Sequence, residues 1–99
     1  MLIHTVYFWW KPDLTPAQRA EFRRSLESLA GIPGVEQLYV GTPAPTAKRP
    51  VLDDSYSMAV TVVMKDMAAH DAYQVHPLHV AFGAACKPMW TRIQVYDAA

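Results

Sequence analysis

Four histidines, His4, His70, His76 and His79, are the side chains of this 99-residue chain best suited to move protons near neutral pH. His76 and His79 flank Pro77-Leu78. If a helix runs through them, their i, i+3 spacing puts both on one side, as in some metal sites. A third ligand would have to be His4 or an acid, and no acid lies within the motif, so no metal and no cofactor is expected. Pro77 should bend the backbone, with one of the two histidines capping or bridging the bend. His79 is then free to face His4 across a cleft. Two imidazoles can divide labour, one taking a proton and the other orienting a carbonyl. With Tyr73 as a phenolic donor, the group suits enolisation. The same residues have a plainer use, because a histidine on an apolar strand face ordinarily makes one hydrogen bond and fixes the sheet.

Other polar groups offer less. His70, one turn before Tyr73 and beside Asp71, is expected on the surface without a role. Lys48, Arg49, Asp53 and Asp54 lie on or near a long loop. They can pin it by local ion pairs or join a dimer rim; alternatively Lys48 and Arg49 guard the cavity mouth and attract an anionic ligand. The single cysteine, Cys86, excludes an intrachain disulfide and a Cys-cluster zinc site, and is read as packing. There is no Gly-rich phosphate loop, nucleophile elbow or carboxylate pair at catalytic spacing.

The elements that must position these residues follow from pattern. Leu2 to Lys11 is rich in β-branched and aromatic residues and reads as a strand ended by Pro12. One face carries Leu2, His4, Val6, Phe8 and Trp10, the other Ile3, Thr5, Tyr7 and Trp9, so both need cover. Thr15-Pro16-Ala17-Gln18 is a capping box with proline at the first helical position. The helix it starts should run to about Ala30 on a stripe of Phe22, Leu26 and Leu29, with Gly31 and Pro33-Gly34 turning the chain. Val35 to Val40 is a second strand, and the proline-rich stretch from Pro43 to Pro50 a loop. Ser55 to Lys65 is a third strand, with Tyr56, Met58, Val60, Val62 and Met64 on one face. Asp66 caps a helix from about Met67 to Val75. A second piece, Leu78 to about Ala85, is expected to bury Leu78, Ala81, Phe82 and Ala85. Trp90 to Tyr96 is the last strand. The order β-α-β-β-α-β is the split βαβ pattern of ferredoxin-like α+β folds, an antiparallel sheet with helices on one face.

Several pieces resemble the stress-responsive dimeric α/β-barrel (Dabb) family. They are His4-Thr5-Val6-Tyr7-Phe8, Ile32-Pro33-Gly34-Val35, the run from Lys48-Arg49-Pro50 to Asp54-Ser55-Tyr56, Tyr73-Gln74-Val75-His76-Pro77-Leu78-His79-Val80-Ala81-Phe82, and Val95-Tyr96-Asp97. The resemblance implies one domain over residues 1–99 and a ferredoxin-like protomer that pairs sheet against sheet into a dimeric α+β barrel. The family includes a plant polyketide cyclase that closes a linear poly-β-ketone by aldol condensation with a His/Tyr/His set. That set corresponds here to His4, Tyr73 and His79.

Composition bounds the partners. Apolar residues make up 52% of the chain and charged residues 18%, more apolar material than one small core hides, which points to a homodimer. Nine basic residues balance nine acidic ones, so no footprint for nucleic acid or an anionic membrane is expected. No apolar run can span a bilayer and no secretory signal is visible, so the expected compartment is the cytoplasm. Two functions compete. One is a stress-response barrel that binds a small apolar or carbonyl-containing ligand between sheet and helices. The other is a cofactor-free cyclase-like enzyme using His4, Tyr73 and His79, with a cofactor-free monooxygenase as a weaker variant.

Overall fold

The computed structural model describes all 99 residues. Strand β1 (Leu2–Trp10) is followed by helix α1 (Pro16–Ser28), strands β2 (Val35–Gly41) and β3 (Met58–Met64), helices α2 (Met67–Val75) and α3 (Pro77–Cys86), and strand β4 (Trp90–Ala98). The strands form one antiparallel sheet in the order β2-β3-β1-β4, with β1 bonded on both sides. This is the expected ferredoxin-like α+β arrangement. No helix is long and apolar enough to cross a membrane.

Alternation decides the two faces. Leu2, His4, Val6 and Phe8 of β1 are buried, as are Met58, Val60, Val62 and Met64 of β3. Against them pack Phe22, Leu26 and Leu29 from α1 and its terminal turn, and Tyr73, Phe82 and Cys86 from the two later helices. Phe8, Phe22 and Phe82 form an edge-to-face cluster with centroids 5.1–5.9 Å apart, a geometry that adds to simple burial. The odd-numbered face of β1 has no helix over it, and Ile3 and Tyr96 stand exposed there.

Local chemistry sets the helix ends. Thr15 Oγ1 accepts from the Gln18 amide and Gln18 Oε1 accepts from the Thr15 amide, so the capping box is complete. Asp66 Oδ1 accepts from the Ala69 amide at the start of α2. Five expectations are corrected. The first helix leaves α geometry at Ser28 and closes with a 3₁₀ turn over Leu29–Gly31, not at Ala30. The third strand starts at Met58, not Ser55, and the last runs on to Ala98. Tyr56 precedes β3 and stacks on Tyr7 at 4.8 Å, on the opposite face from Met58. In α3 the buried side is Phe82 and Cys86, with Leu78, Ala81 and Ala85 facing out.

Gly34 turns the chain from the 3₁₀ turn into β2 with φ +92, and a Cβ there would lie 2.9 Å from the Ala69 Cβ of α2. Left-handed backbone costs an L-residue about 1–2 kcal/mol, and the clash adds to it. Gly34→Ala should therefore lower stability by about 2 kcal/mol or more, read as a fall in urea midpoint at unchanged m-value.

Candidate functional site

His4 is the one buried polar residue, placed by β1 among Leu2, Val6 and Phe8. Burial demands a partner, and the register supplies it. His4 lies directly opposite Asp97 on β4, on the same face, and His4 Nδ1 is 2.5 Å from Asp97 Oδ1. An ionised carboxylate only accepts, so Nδ1–H donates and Nε2 keeps its lone pair.

Helix α2 brings His70 and Tyr73, one turn apart, over this strand. Their ring centroids are 5.4 Å and 5.7 Å from that of His4. His70 Nδ1 lies 3.2 Å from Asp71 Oδ1, and His70 Nε2 lies 3.9 Å from Asp97 Oδ2. His70 was expected on the surface without a role. Instead its side chain is only 16% exposed and stacks against His4.

At the break between the two helices, His76 Nδ1 accepts from the Leu78 amide and caps α3, with Pro77 in its first turn. His76 is thereby the capping histidine, and His79 follows within the first turn of α3. His79 packs on Tyr73 at 4.8 Å and on Phe82 at 6.2 Å. His4, Tyr73, Gln74 and His79 line one cavity of about 230 Å³ between sheet and helices. Its walls are otherwise apolar, from Phe8, Leu26, Val60 and Phe82 to Ile93 and Val95 of the edge strand.

The electrostatics separate the roles. Burial pushes the Tyr73 phenol up to about 12, so it stays a proton donor. Desolvation holds the His79 pKa below the usual histidine value, with His4 and His70 adding repulsion and a backbone hydrogen bond at Gln74 opposing. The cavity thus offers a neutral imidazole, a protonated phenol and an imidazole backed by a carboxylate, a set able to move a proton to or from carbon beside a carbonyl. The residues missed by sequence are Asp97 and His70. The alternation Ile93, Val95, Asp97 along β4 was the available signal for Asp97.

A second concavity, about 520 Å³, lies on the open face of the sheet, lined by Tyr7, Trp9, Tyr56, Arg92 and Tyr96 among others. Arg92 sits 4.1 Å over the Trp9 ring, and Trp9 Nε1 donates to Ser55 Oγ at 3.1 Å. The long loop along this side is pinned, as expected, by local ion pairing of Lys48 with Asp54 and by Asp53 accepting from Ser55. Cys86 is buried, its thiol pKa raised by desolvation, in keeping with a packing role.

A ferredoxin-like sheet carrying a single histidine- and tyrosine-lined cavity beneath its helices defines the class of fold. Within that class, the chain belongs to the stress responsive A/B barrel domain family, whose profile matches residues 2–99. It is 25% identical over 95 residues to olivetolic acid cyclase of Cannabis sativa, covering 95% of this chain and 91% of that one. A dimeric ferredoxin-like protein from Thermobifida fusca superposes with a TM-score of 0.81 at 26% identity, over 99% of this chain and 89% of that one. The hydroxynitrile lyase of Passiflora edulis shares the fold, with a TM-score of 0.83 at 19% identity over 98% and 90% of the two chains.

Because His79 binds its proton less tightly folded than unfolded, the unfolded chain holds more protons between the folded value and the free value of 6.5. Stability therefore falls as pH drops through that window. An NMR titration should give His79 a midpoint below 6.5, and His79→Gln should flatten the stability profile between that midpoint and neutral pH.

Proposed function

We propose that this protein is a homodimeric, carbonyl-directed proton-transfer enzyme of cyclase-like chemistry, with His4, Tyr73 and His79 as its catalytic residues. The observation that carries the reading is their convergence on one cavity from β1, α2 and α3. The likeness to a polyketide cyclase supports it. A shared scaffold alone would not.

The roles follow from the surroundings. His4, its Nδ1–H held by Asp97, takes a proton from the carbon beside a carbonyl through Nε2. The carboxylate stabilises the imidazolium that forms. Tyr73 donates to the carbonyl oxygen as enolate charge develops there. Neutral His79 orients a second carbonyl. The enolate carbon attacks that carbonyl carbon, forming the new C–C bond as its C=O π bond breaks, and the resulting alkoxide takes up the proton that His4 removed, restoring the neutral imidazole. At roughly 30 Å³ per water, a 230 Å³ space holds a compact substrate, and its apolar walls favour one with a short hydrocarbon portion.

The open sheet face supports the dimer. Ile3, Tyr39 and Tyr96 stand exposed beside the Trp9 concavity, and relatives at 25–26% identity are dimeric ferredoxin-like proteins. Packing one sheet on the other should bury roughly 2,000 Å² or more in total, as permanent interfaces do. Light scattering at micromolar concentration should return twice the chain mass, and Trp9→Glu should return one chain mass with the fold retained by circular dichroism.

A positioned acid or base contributes about 10²–10⁴-fold. Against a panel of β-polyketo substrates, His4→Ala and His79→Ala should each lower kcat by that much with the dimer intact. Tyr73→Phe removes only the hydroxyl and should lower kcat while leaving KM near its original value. A panel showing neither turnover nor binding would remove the enzymatic reading.

A further inference from the structure

Behind His4, on the side away from the cavity, lies a group of residues that the proposed chemistry uses only in part. His4 from β1, His70 from α2 and Asp97 from β4 present ligand atoms that all fall within 4.8 Å of one another. Three separate elements supply them, so the grouping does not follow from neighbourhood in sequence. The helix that carries His70 is placed so that the ring meets His4 edge-on at 5.4 Å.

We propose that His4 Nδ1, His70 Nε2 and the Asp97 carboxylate form a binding site for a divalent transition-metal ion of the zinc type, which takes the place of the proton that His4 Nδ1 otherwise donates to Asp97. Bond lengths of about 2.0–2.1 Å at tetrahedral angles put ligand atoms about 3.4 Å apart. The His4–Asp97 and His70–Asp97 separations, 2.5 Å and 3.9 Å, lie on either side of that value. Binding needs the first pair to open and the second to close, each by less than about 1 Å. The half-exposed Asp97 side chain has the freedom to do both.

A second feature prepares His70. Asp71 Oδ1 lies 3.2 Å from His70 Nδ1, where it accepts the ring proton and leaves Nε2 as the lone-pair nitrogen, which Gln74 Nε2 meets at 3.3 Å and a metal ion would take over. A carboxylate behind a histidine is the usual support of a metal-bound imidazole, since it fixes the tautomer and raises ligand basicity. Two imidazoles and one carboxylate suit zinc, cobalt or nickel, and give little hold on magnesium or calcium, which prefer all-oxygen sites. Three protein ligands would leave a fourth position for water. The expectation of no metal rested on the His76–His79 pair, and His76 is engaged as a helix cap. The site proposed here keeps His4 but joins it to His70 and Asp97 in place of His76 and His79.

The test uses untagged, chelator-treated protein with zinc chloride, followed by calorimetry, and with cobalt chloride, followed by visible absorption. One zinc per chain is expected, with a tetrahedral cobalt spectrum and a rise in thermal midpoint on zinc addition. His70→Ala and Asp97→Asn should each weaken zinc binding by at least tenfold, with the fold checked by circular dichroism. Asp71→Asn should weaken it by about 10–100-fold through loss of orientation. His79→Ala, which removes a cavity residue outside the site, should bind zinc as the parent does, and magnesium should not compete. Absence of zinc binding, or binding unchanged in His70→Ala and Asp97→Asn, would overturn the proposal. Zinc binding is read without any carbonyl substrate, so its failure and that of the cyclase-like reading are separate results.

Discussion

Strand β1 lies inside the sheet and is apolar on both faces, and the rest of the molecule is arranged around covering it. Its even residues take the helices. Phe8 contacts Phe22 of α1 and Phe82 of α3, while His4, four residues earlier on the same face, comes under α2. A polar ring in that row is tolerable only with its hydrogen bond made, because an unpaired buried donor costs about 1–3 kcal/mol. On β3 the opposite residue is Val62, and on β4 it is Asp97. The edge strand thus acts as a partner to His4 as well as a wall. A one-residue slip of β4 would turn Asp97 to the other face and leave His4 alone.

The cavity exists because the helical layer is broken. An unbroken helix from Met67 to Cys86 would be about 30 Å long at 1.5 Å per residue and would lie as one rod across the sheet. Pro77 and the His76 cap divide it into α2 and α3. The first helix delivers Tyr73 and the second His79 to the same space. Small residues keep it open. A Cβ added at Gly83, a lining residue, would meet nothing within 4 Å. On the far side, Ile93 and Val95 of the edge strand remain about 40% exposed on the helix face, so the cavity reaches the surface there.

What the sequence disclosed was local, and what it hid was not. Thr15-Pro16-Gln18, Asp66 and Pro77 act within one turn of chain, and each does what its type and spacing predict. The alternation of Leu2, His4, Val6 and Phe8 placed His4 on the helix face without further information. Tyr73 and His79 were reached through the Tyr-x-x-His-Pro-x-His segment, where proline and spacing fix the turn. Asp97 needed the β1–β4 register, which joins positions 93 residues apart, and His70 needed the docking angle of α2. Alternation along β4 could place Asp97 on the helix face, but it could not name His4 as its partner, and His70 has no local signal. The inward side of α3 was misjudged for a simpler reason. Ala81, Phe82 and Ala85 lie within a turn of His79, Phe82 and Cys86, and a rotation of one residue, 100° on the helix, exchanges the two stripes. With Phe82 common to both, apolar periodicity could not choose between them.

The two faces of the sheet divide what the fold can do. On the helix side, the scaffold encloses titratable groups in an apolar setting, where burial raises Tyr73 and lowers His79. On the open side, Tyr7, Trp9, Tyr56 and Tyr96 gather around Arg92 with little of the core's closure. Adjacent residues of β1 alternate between these settings, so Thr5 and Tyr7 of the open face flank Val6 of the core. Any partner that settles on the open face therefore bears on the strand that carries His4, through backbone shared by both faces. Residues on the helix face can vary the chemistry without disturbing the open face, since alternate side chains never meet. That separation lets one βαββαβ frame support a cyclase in one relative and a lyase in another. What each protein does is then a matter of the side chains it places on the frame, rather than of the frame itself.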